Sequence, residues 1–127
     1  MARTLLALVF VGLFSLAACG SGTEADRLGV GAECSATDDC LDDEIAECLA
    51  FRGGYCGFSG CEDDLDCPGG SACIAHDDGM NYCFLVCIDK IDCNINRSPE
   101  HEANCSSNVT FVDGAQGRKA CVPPSSS

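Results

Sequence analysis

The segment Cys61-Glu-Asp-Asp-Leu-Asp-Cys67 is repeated twice in altered form, as Cys34-Ser-Ala-Thr-Asp-Asp-Cys40 and as Cys87-Ile-Asp-Lys-Ile-Asp-Cys93. Each copy has five residues between two cysteines, and Asp39, Asp66 or Asp92 stands directly before the second. Two further cysteines follow each copy, giving the groups Cys34, Cys40, Cys48, Cys56; Cys61, Cys67, Cys73, Cys83; and Cys87, Cys93, Cys105, Cys121. Self-similarity at this spacing marks a tandem array. Between the third and fourth cysteines lies a turn signal: Arg52-Gly53-Gly54, Asp77-Asp78-Gly79 and Asp113-Gly114-Ala115-Gln116-Gly117. Glycine supplies positive φ at such turns without steric cost, and Asp-Gly is a strong hairpin signal. Strand formers flank the turns, as in Asn81 to Val86 and Asn108 to Val112. The expected unit is therefore an acidic loop followed by a short β-hairpin, repeated over 34–60, 61–86 and 87–121.

The composition explains why sulfur must replace hydrocarbon. Cysteine makes up 13 of 127 residues, a density that signals a disulfide scaffold in an exported chain. Between Cys34 and Cys121 only nineteen of 88 residues are Val, Ile, Leu, Met, Phe or Tyr. That is too few for a conventional core, so covalent staples must substitute. The fold class expected is small and disulfide-rich, with little regular secondary structure. A short helix near 41–49 is a competing local signal, because Leu41, Ile45, Cys48 and Leu49 recur at helical spacing. The linkers between repeats are only four and three residues long, so the repeats are expected to stack as one rod. Four cysteines allow three pairings per repeat, and sequence alone selects none. First with third and second with fourth would tie each acidic loop onto its hairpin; third with fourth across the hairpin is the alternative. Closing a loop of about 15 residues contributes roughly 3 kcal/mol.

Upstream of the array, Met1 to Ala18 reads as an export signal, with Arg3 before the apolar run Leu5 to Leu16. The run is too short to be a stable membrane span. It ends in Leu16-Ala17-Ala18-Cys19-Gly20, which resembles the lipobox of bacterial lipoproteins. The resemblance implies a diacylglyceryl group on the Cys19 sulfur, cleavage before Cys19 and acylation of the new amino terminus. Setting Cys19 aside leaves twelve cysteines, an even number, whereas an ordinary secretory cleavage leaves one thiol over. Two or more acyl chains make anchoring stable, and Gly20 rather than Asp after Cys19 favours the outer membrane under the enterobacterial rule. Residues 19–33 read as a flexible polar tether and 122–127 as a disordered tail. The middle repeat, with Cys67-Pro-Gly-Gly-Ser-Ala-Cys73 after its acidic loop, resembles cysteine-rich repeats of myxobacterial-type surface lipoproteins. It is distantly similar to the first cysteine-rich module of Dickkopf-type secreted proteins. Both resemblances imply an extracytoplasmic binding or structural module, and neither carries a catalytic residue over.

Several kinds of chemistry are excluded or weakened by the residues themselves. A net charge of −13 repels phosphates and argues against nucleic acid. Zinc knuckle spacings occur only at Cys56-x4-Cys61 and Cys83-x3-Cys87, at repeat junctions, and a redox Cys-x-x-Cys is absent. Asp64 and Asp66 are the best calcium candidates, but an EF-hand register starting at Asp64 puts Pro68 at position five and Ala75 at position twelve, where a bidentate Glu belongs. The simpler expectation is that Asp39, Asp66 and Asp92 accept local backbone hydrogen bonds. His76 and His101 accompany no nucleophile motif and are expected to be exposed loop residues. Phe58, Phe84 and Phe111 are expected to pack against the disulfides rather than form a patch. Asn104-Cys-Ser106 and Asn108-Val-Thr110 match glycosylation acceptors formally, but the lipobox points to a bacterium, where that signal is normally empty. The reading is a monomeric, non-enzymatic, cofactor-free envelope protein, attached to the membrane through Cys19 and presenting a structural or interaction module to a protein or glycan. A small protease inhibitor presenting Arg52 or Arg97-Ser98 is the alternative, and an extracellular calcium-binding module a second.

Overall fold

A computed structural model describes residues 22–41 and 46–125. Each repeat opens with a 3-10 turn, at Thr37–Asp39, Asp64–Asp66 and Lys90–Cys93. The aspartate before the second cysteine explains why the turn forms at this spacing. Asp39 Oδ2 accepts from the backbone N–H of Ser35 (2.8 Å) and Ala36 (3.0 Å), Asp66 Oδ2 from Glu62 (2.8 Å), and Asp92 Oδ2 from Ile88 and Asp89 (both 3.0 Å). Each carboxylate thus satisfies donors that follow the first cysteine and pulls the five-residue loop closed. For Asp39 and Asp92 these bonds hold the carboxyl below its usual range.

The strands are β1 (Glu47–Leu49), β2 (Tyr55–Ser59), β3 (Ser71–Ala75), β4 (Asn81–Cys87), β5 (Asn104–Ser106), β6 (Thr110–Phe111) and β7 (Lys119–Val122). They form hairpins β1–β2 and β3–β4, and the pair β5–β7, all antiparallel. In every repeat the third and fourth cysteines face each other across the ladder: Cys48 with Cys56, Cys73 with Cys83, Cys105 with Cys121. Directly opposed residues project to the same face of an antiparallel pair, so the two hairpin cysteines present their sulfurs together to the loop. The loop's two cysteines take one each. The bridges are Cys34–Cys48, Cys40–Cys56, Cys61–Cys73, Cys67–Cys83, Cys87–Cys105 and Cys93–Cys121, with Cα separations of 5.3–5.9 Å. This is first with third and second with fourth in all three repeats.

The repeats do not stack as a rod. The seven strands join into a sheet of order β1-β2-β4-β3-β6, with β7 on β4 and β5 on β7. One core cluster draws on every repeat, with Tyr55, Ile74, Phe84, Phe111 and Ala120 all buried. Tyr55 shows how closely they meet. Its hydroxyl donates to Cys121 O (3.2 Å) and accepts from Leu85 N–H (3.1 Å), so a first-repeat side chain joins the second and third repeats. Burial raises the Tyr55 pKa well beyond an ordinary phenol, which keeps that hydroxyl a donor. The apolar residues are few, but they converge on one place instead of being divided among three small cores.

Four further expectations need correction. The polar segment before Cys34 is docked from Thr23 onward: α1 (Glu24–Arg27) is capped by Thr23 and Asp26, Ala25 and Val30 are buried, and Ala25, Gly31 and Cys56 exchange backbone bonds with Gly69, Cys56 and Ala32. Two small apolar side chains at Ala25 and Val30 are enough to seat it, and only 19–21 fall outside the described residues. Of the helical signal over 41–49, residues 42–45 lie outside the described residues, and Glu47–Leu49 is strand, because Cys48 must face Cys56. In the third repeat the strand-forming run after Asn108 does not return along β7; β6 crosses to pair with β3 through Ile74 and Ala75. The expected tail also begins late, since Val122 ends β7, Pro123 is buried and Pro124 O accepts from Arg52 N–H.

Glycine is obligatory at the first hairpin turn. Gly54 has φ +68°, and a Cβ there would collide with Cys34 O and with both sulfurs of Cys34–Cys48. Gly54→Ala is therefore expected to destabilise the first repeat by about 2–4 kcal/mol, combining positive-φ strain with displacement of a buried bridge. Thermal unfolding together with peptide mapping of the Cys34–Cys48 bridge checks this; an unchanged melting temperature with native mapping would count against the packing described.

Candidate functional site

A partly buried group of polar, chemistry-bearing side chains lies where the docked segment, the first hairpin turn and the long third-repeat loop meet. Arg97 sits at its centre, only 7% exposed. Its guanidinium donates to four backbone carbonyls: His101 O (2.7 Å), Gly31 O (3.2 Å), Gly54 O (2.7 Å) and Arg52 O (3.1 Å). It also lies 5.8 Å from the Tyr55 ring centroid. Burial pulls its pKa down from the usual arginine value, opposed by Tyr55 and Glu33. A planar fork of fixed donors is the one side chain that can reach carbonyls from three separate segments at once.

Beside it, Glu33 accepts from Ser98 Oγ (3.0 Å) and Ser98 N–H (3.3 Å) and pairs with His101 Nδ1. Ser98 Oγ lies 3.4 Å from the same Nδ1. Ser, His and Glu are the residue types of a hydrolase triad, but the geometry differs. A triad needs the acid on one ring nitrogen and the nucleophile on the other, whereas here both converge on Nδ1. The group is a clasp that holds the third-repeat loop to the docked segment. The His101 imidazole holds the Glu33 carboxyl below its usual range of about 4.5, helped by Ser98. A carboxylate favoured by the folded state stabilises fully above its unfolded pKa and loses that contribution as pH falls through its lower folded value. The melting temperature is thus expected to fall as pH drops below about 4.5. Glu33→Gln should flatten part of that dependence, leaving the share due to Asp39, Asp78 and Asp92, whose pKa values are also lowered. An identical pH profile for the variant would show that the clasp contributes nothing.

The other expected site residues are engaged in holding the fold. Asp64 Oδ1 accepts from Cys73 N–H (2.9 Å) and Oδ2 pairs with Arg118 (3.0 Å), while Asp66 caps its loop as described. The two best calcium candidates therefore point at protein donors. Sulfurs do cluster, with Cys34, Cys40 and Cys56, and likewise Cys61, Cys67, Cys83 and Cys87, Cys93, Cys121, each within 4.8 Å. All belong to bridges, so none is a thiolate ligand. Neither histidine is a free surface group: His101 is in the clasp, and His76 is half-buried edge-on to Phe51, Tyr82 and Phe84. Phe84 and Phe111 are buried, and half-buried Phe58 packs against the bridge clusters of the first two repeats. For protease inhibition, Arg97 is buried, and Arg52 sits inside a tight turn closed by Gly54 N–H to Phe51 O (2.7 Å). A protease requires an extended inserted segment, which neither arginine presents. The sequence contained a cue to the clasp in the eleven residues between Cys93 and Cys105, against seven and five at the same place in the other repeats, but nothing that paired Arg97 with carbonyls remote in the chain.

An open groove of about 610 Å³ is also lined by the docked segment, with Val30, Leu85, Val86, Ile88 and Ile95 on its wall. Its two ionisable wall residues are already bonded, Asp26 to Thr23 and Asp92 to the Ile88 backbone. The groove offers apolar contact rather than acid–base or nucleophilic chemistry. No described helix is long and apolar enough to cross a membrane. The chain matches no family model, no curated protein and no solved structure.

Proposed function

We propose that the chain is an exported, lipid-anchored bacterial cell-envelope protein, carried by acylated Cys19 in the outer membrane, whose disulfide-stapled domain serves as a non-catalytic structural or interaction module. The observation that carries this reading is the cysteine pairing. The twelve cysteines from Cys34 to Cys121 pair entirely among themselves, so none of them is available to Cys19. Leu16-Ala17-Ala18-Cys19 places that thirteenth cysteine where a lipidated residue belongs. Six bridges persist in oxidising compartments and are reduced in the cytosol, which fits export. The ionisable clusters are spent on caps and on the clasp, which fits a module that binds or spaces rather than reacts. Its partner is a protein or glycan met outside the membrane, and its acidity favours basic or cationic groups there.

Cys19→Ala tests the anchor. In a bacterial host that processes lipoproteins and is fed a labelled fatty acid, the unaltered chain is expected to carry the label and the variant to carry none. An unlabelled native chain, or equal labelling of both proteins, would overturn lipid anchoring at Cys19.

A further inference from the structure

We infer that the face carrying Ile88, Ile91 and Ile95 rests on the lipid surface, seating the domain against the membrane instead of holding it clear. These side chains are 79%, 73% and 75% exposed, and they are three of the seven large hydrophobics left exposed among the described residues. The fold does not ask for the first of them. The residue after the first cysteine contributes only its backbone N–H to the capping aspartate, and in the other two repeats that position is Ser35 and Glu62. Isoleucine at position 88 therefore satisfies no requirement of the loop itself. Ile88 and Ile95 line the apolar groove, and Ile91 lies on the 3-10 turn between them.

The chain's own path identifies what covers this face. Thr23, the first residue of the docked segment, lines the same groove as Ile88 and Ile95. Only Gly20, Ser21 and Gly22 separate it from Cys19. That span reaches at most about 14 Å when fully extended, so an acyl group on Cys19 brings the groove rim to the headgroup layer. Apolar side chains next to a lipid anchor insert at the boundary between headgroups and acyl chains, which orients a domain that the acyl chains already hold. The charges set the kind of surface. Lys90 on this turn is neutralised by Glu102 at 2.7 Å, and the chain carries −13 overall, which favours zwitterionic over anionic headgroups.

This inference rests on lipidation of Cys19, and the test separates the two. The chain has no tryptophan, so Ile91→Trp, Ile95→Trp and Leu65→Trp each introduce a single reporter. Leu65 is 93% exposed, occupies the position of Ile91 on the second repeat's 3-10 turn, and has no groove-lining isoleucines beside it in the chain. The acylated variants are placed in vesicles of phosphatidylethanolamine and phosphatidylcholine brominated along the acyl chain. Emission at positions 91 and 95 is expected to shift blue and to be quenched several-fold more than at position 65. Equal, unshifted emission from protein that floats with the vesicles overturns the membrane face and leaves the anchor standing. A blue shift without vesicles, accompanied by a dimeric mass in sedimentation, overturns it in favour of a second copy of the chain. Protein that neither carries acyl mass nor floats overturns the anchor, and the membrane face with it.

Discussion

Complete reduction of the six bridges is expected to unfold residues 22–125 at neutral pH and room temperature, with collapse of amide dispersion in the proton spectrum. The reason lies in the size of the core. Apart from cysteines, the largest fully buried side chains among the described residues are Tyr55, Phe84 and Ile74, and domains with so little apolar burial rarely stand without staples. The bridges span 12 to 28 residues, and on loop-closure grounds each contributes about 3–4 kcal/mol. Removing several at once exceeds the usual stability of a domain this small. A graded version sharpens the test. Replacing Cys93 and Cys121 with alanine opens the longest loop and should cost more than replacing Cys61 and Cys73, by about 0.7 kcal/mol from loop length alone. A dispersed native spectrum with twelve titratable thiols would show that hydrocarbon packing, not sulfur, holds the fold.

The second large effect is expected at Arg97. Arg97→Ala removes the shared donor of Gly31, Gly54, Arg52 and His101 carbonyls and leaves a cavity beside Tyr55. Buried acceptors without donors, together with lost charge-assisted bonds, put the cost at about 3–5 kcal/mol. Arg97→Lys should recover little, because a single ammonium cannot span four carbonyls on three segments. Chemical denaturation of the oxidised proteins measures both. A loss below about 1 kcal/mol for Arg97→Ala would mean that water replaces the guanidinium without penalty, as at an exposed site.

The periodic features of the chain were legible because each has a local cause. The five-residue loops, their terminal aspartates and the glycine turns all act within one repeat, and spacing alone reveals them. Spacing selects none of the three cysteine pairings; the 1–3, 2–4 pattern is the one that ties each loop onto its hairpin, and the opposition of Cys48 with Cys56 on adjacent strands supplies its reason. What sequence did not reveal is how the repeats meet one another. Tyr55 reaching Cys121 and Leu85, Arg97 reaching Gly31 and Gly54, and β6 crossing to β3 are contacts between residues far apart in the chain. No periodicity encodes them. Ala25 and Val30 were hidden for a different reason: two small apolar residues among charged ones look like linker, although their burial docks the segment. The histidines and Arg97 looked like surface residues because polar loops usually carry them there, and only the fold shows that the third-repeat loop turns inward.

The mass of the intact mature protein, isolated from the membrane of the producing cell, bears most directly on the whole scheme. Processing before Cys19 with acyl chains attached, together with the loss of twelve hydrogens, two for each of six bridges, is the expected result. A chain that still begins at Met1, or one with an unmodified Cys19 and free thiols between Cys34 and Cys121, would contradict both the location and the means by which the fold is held.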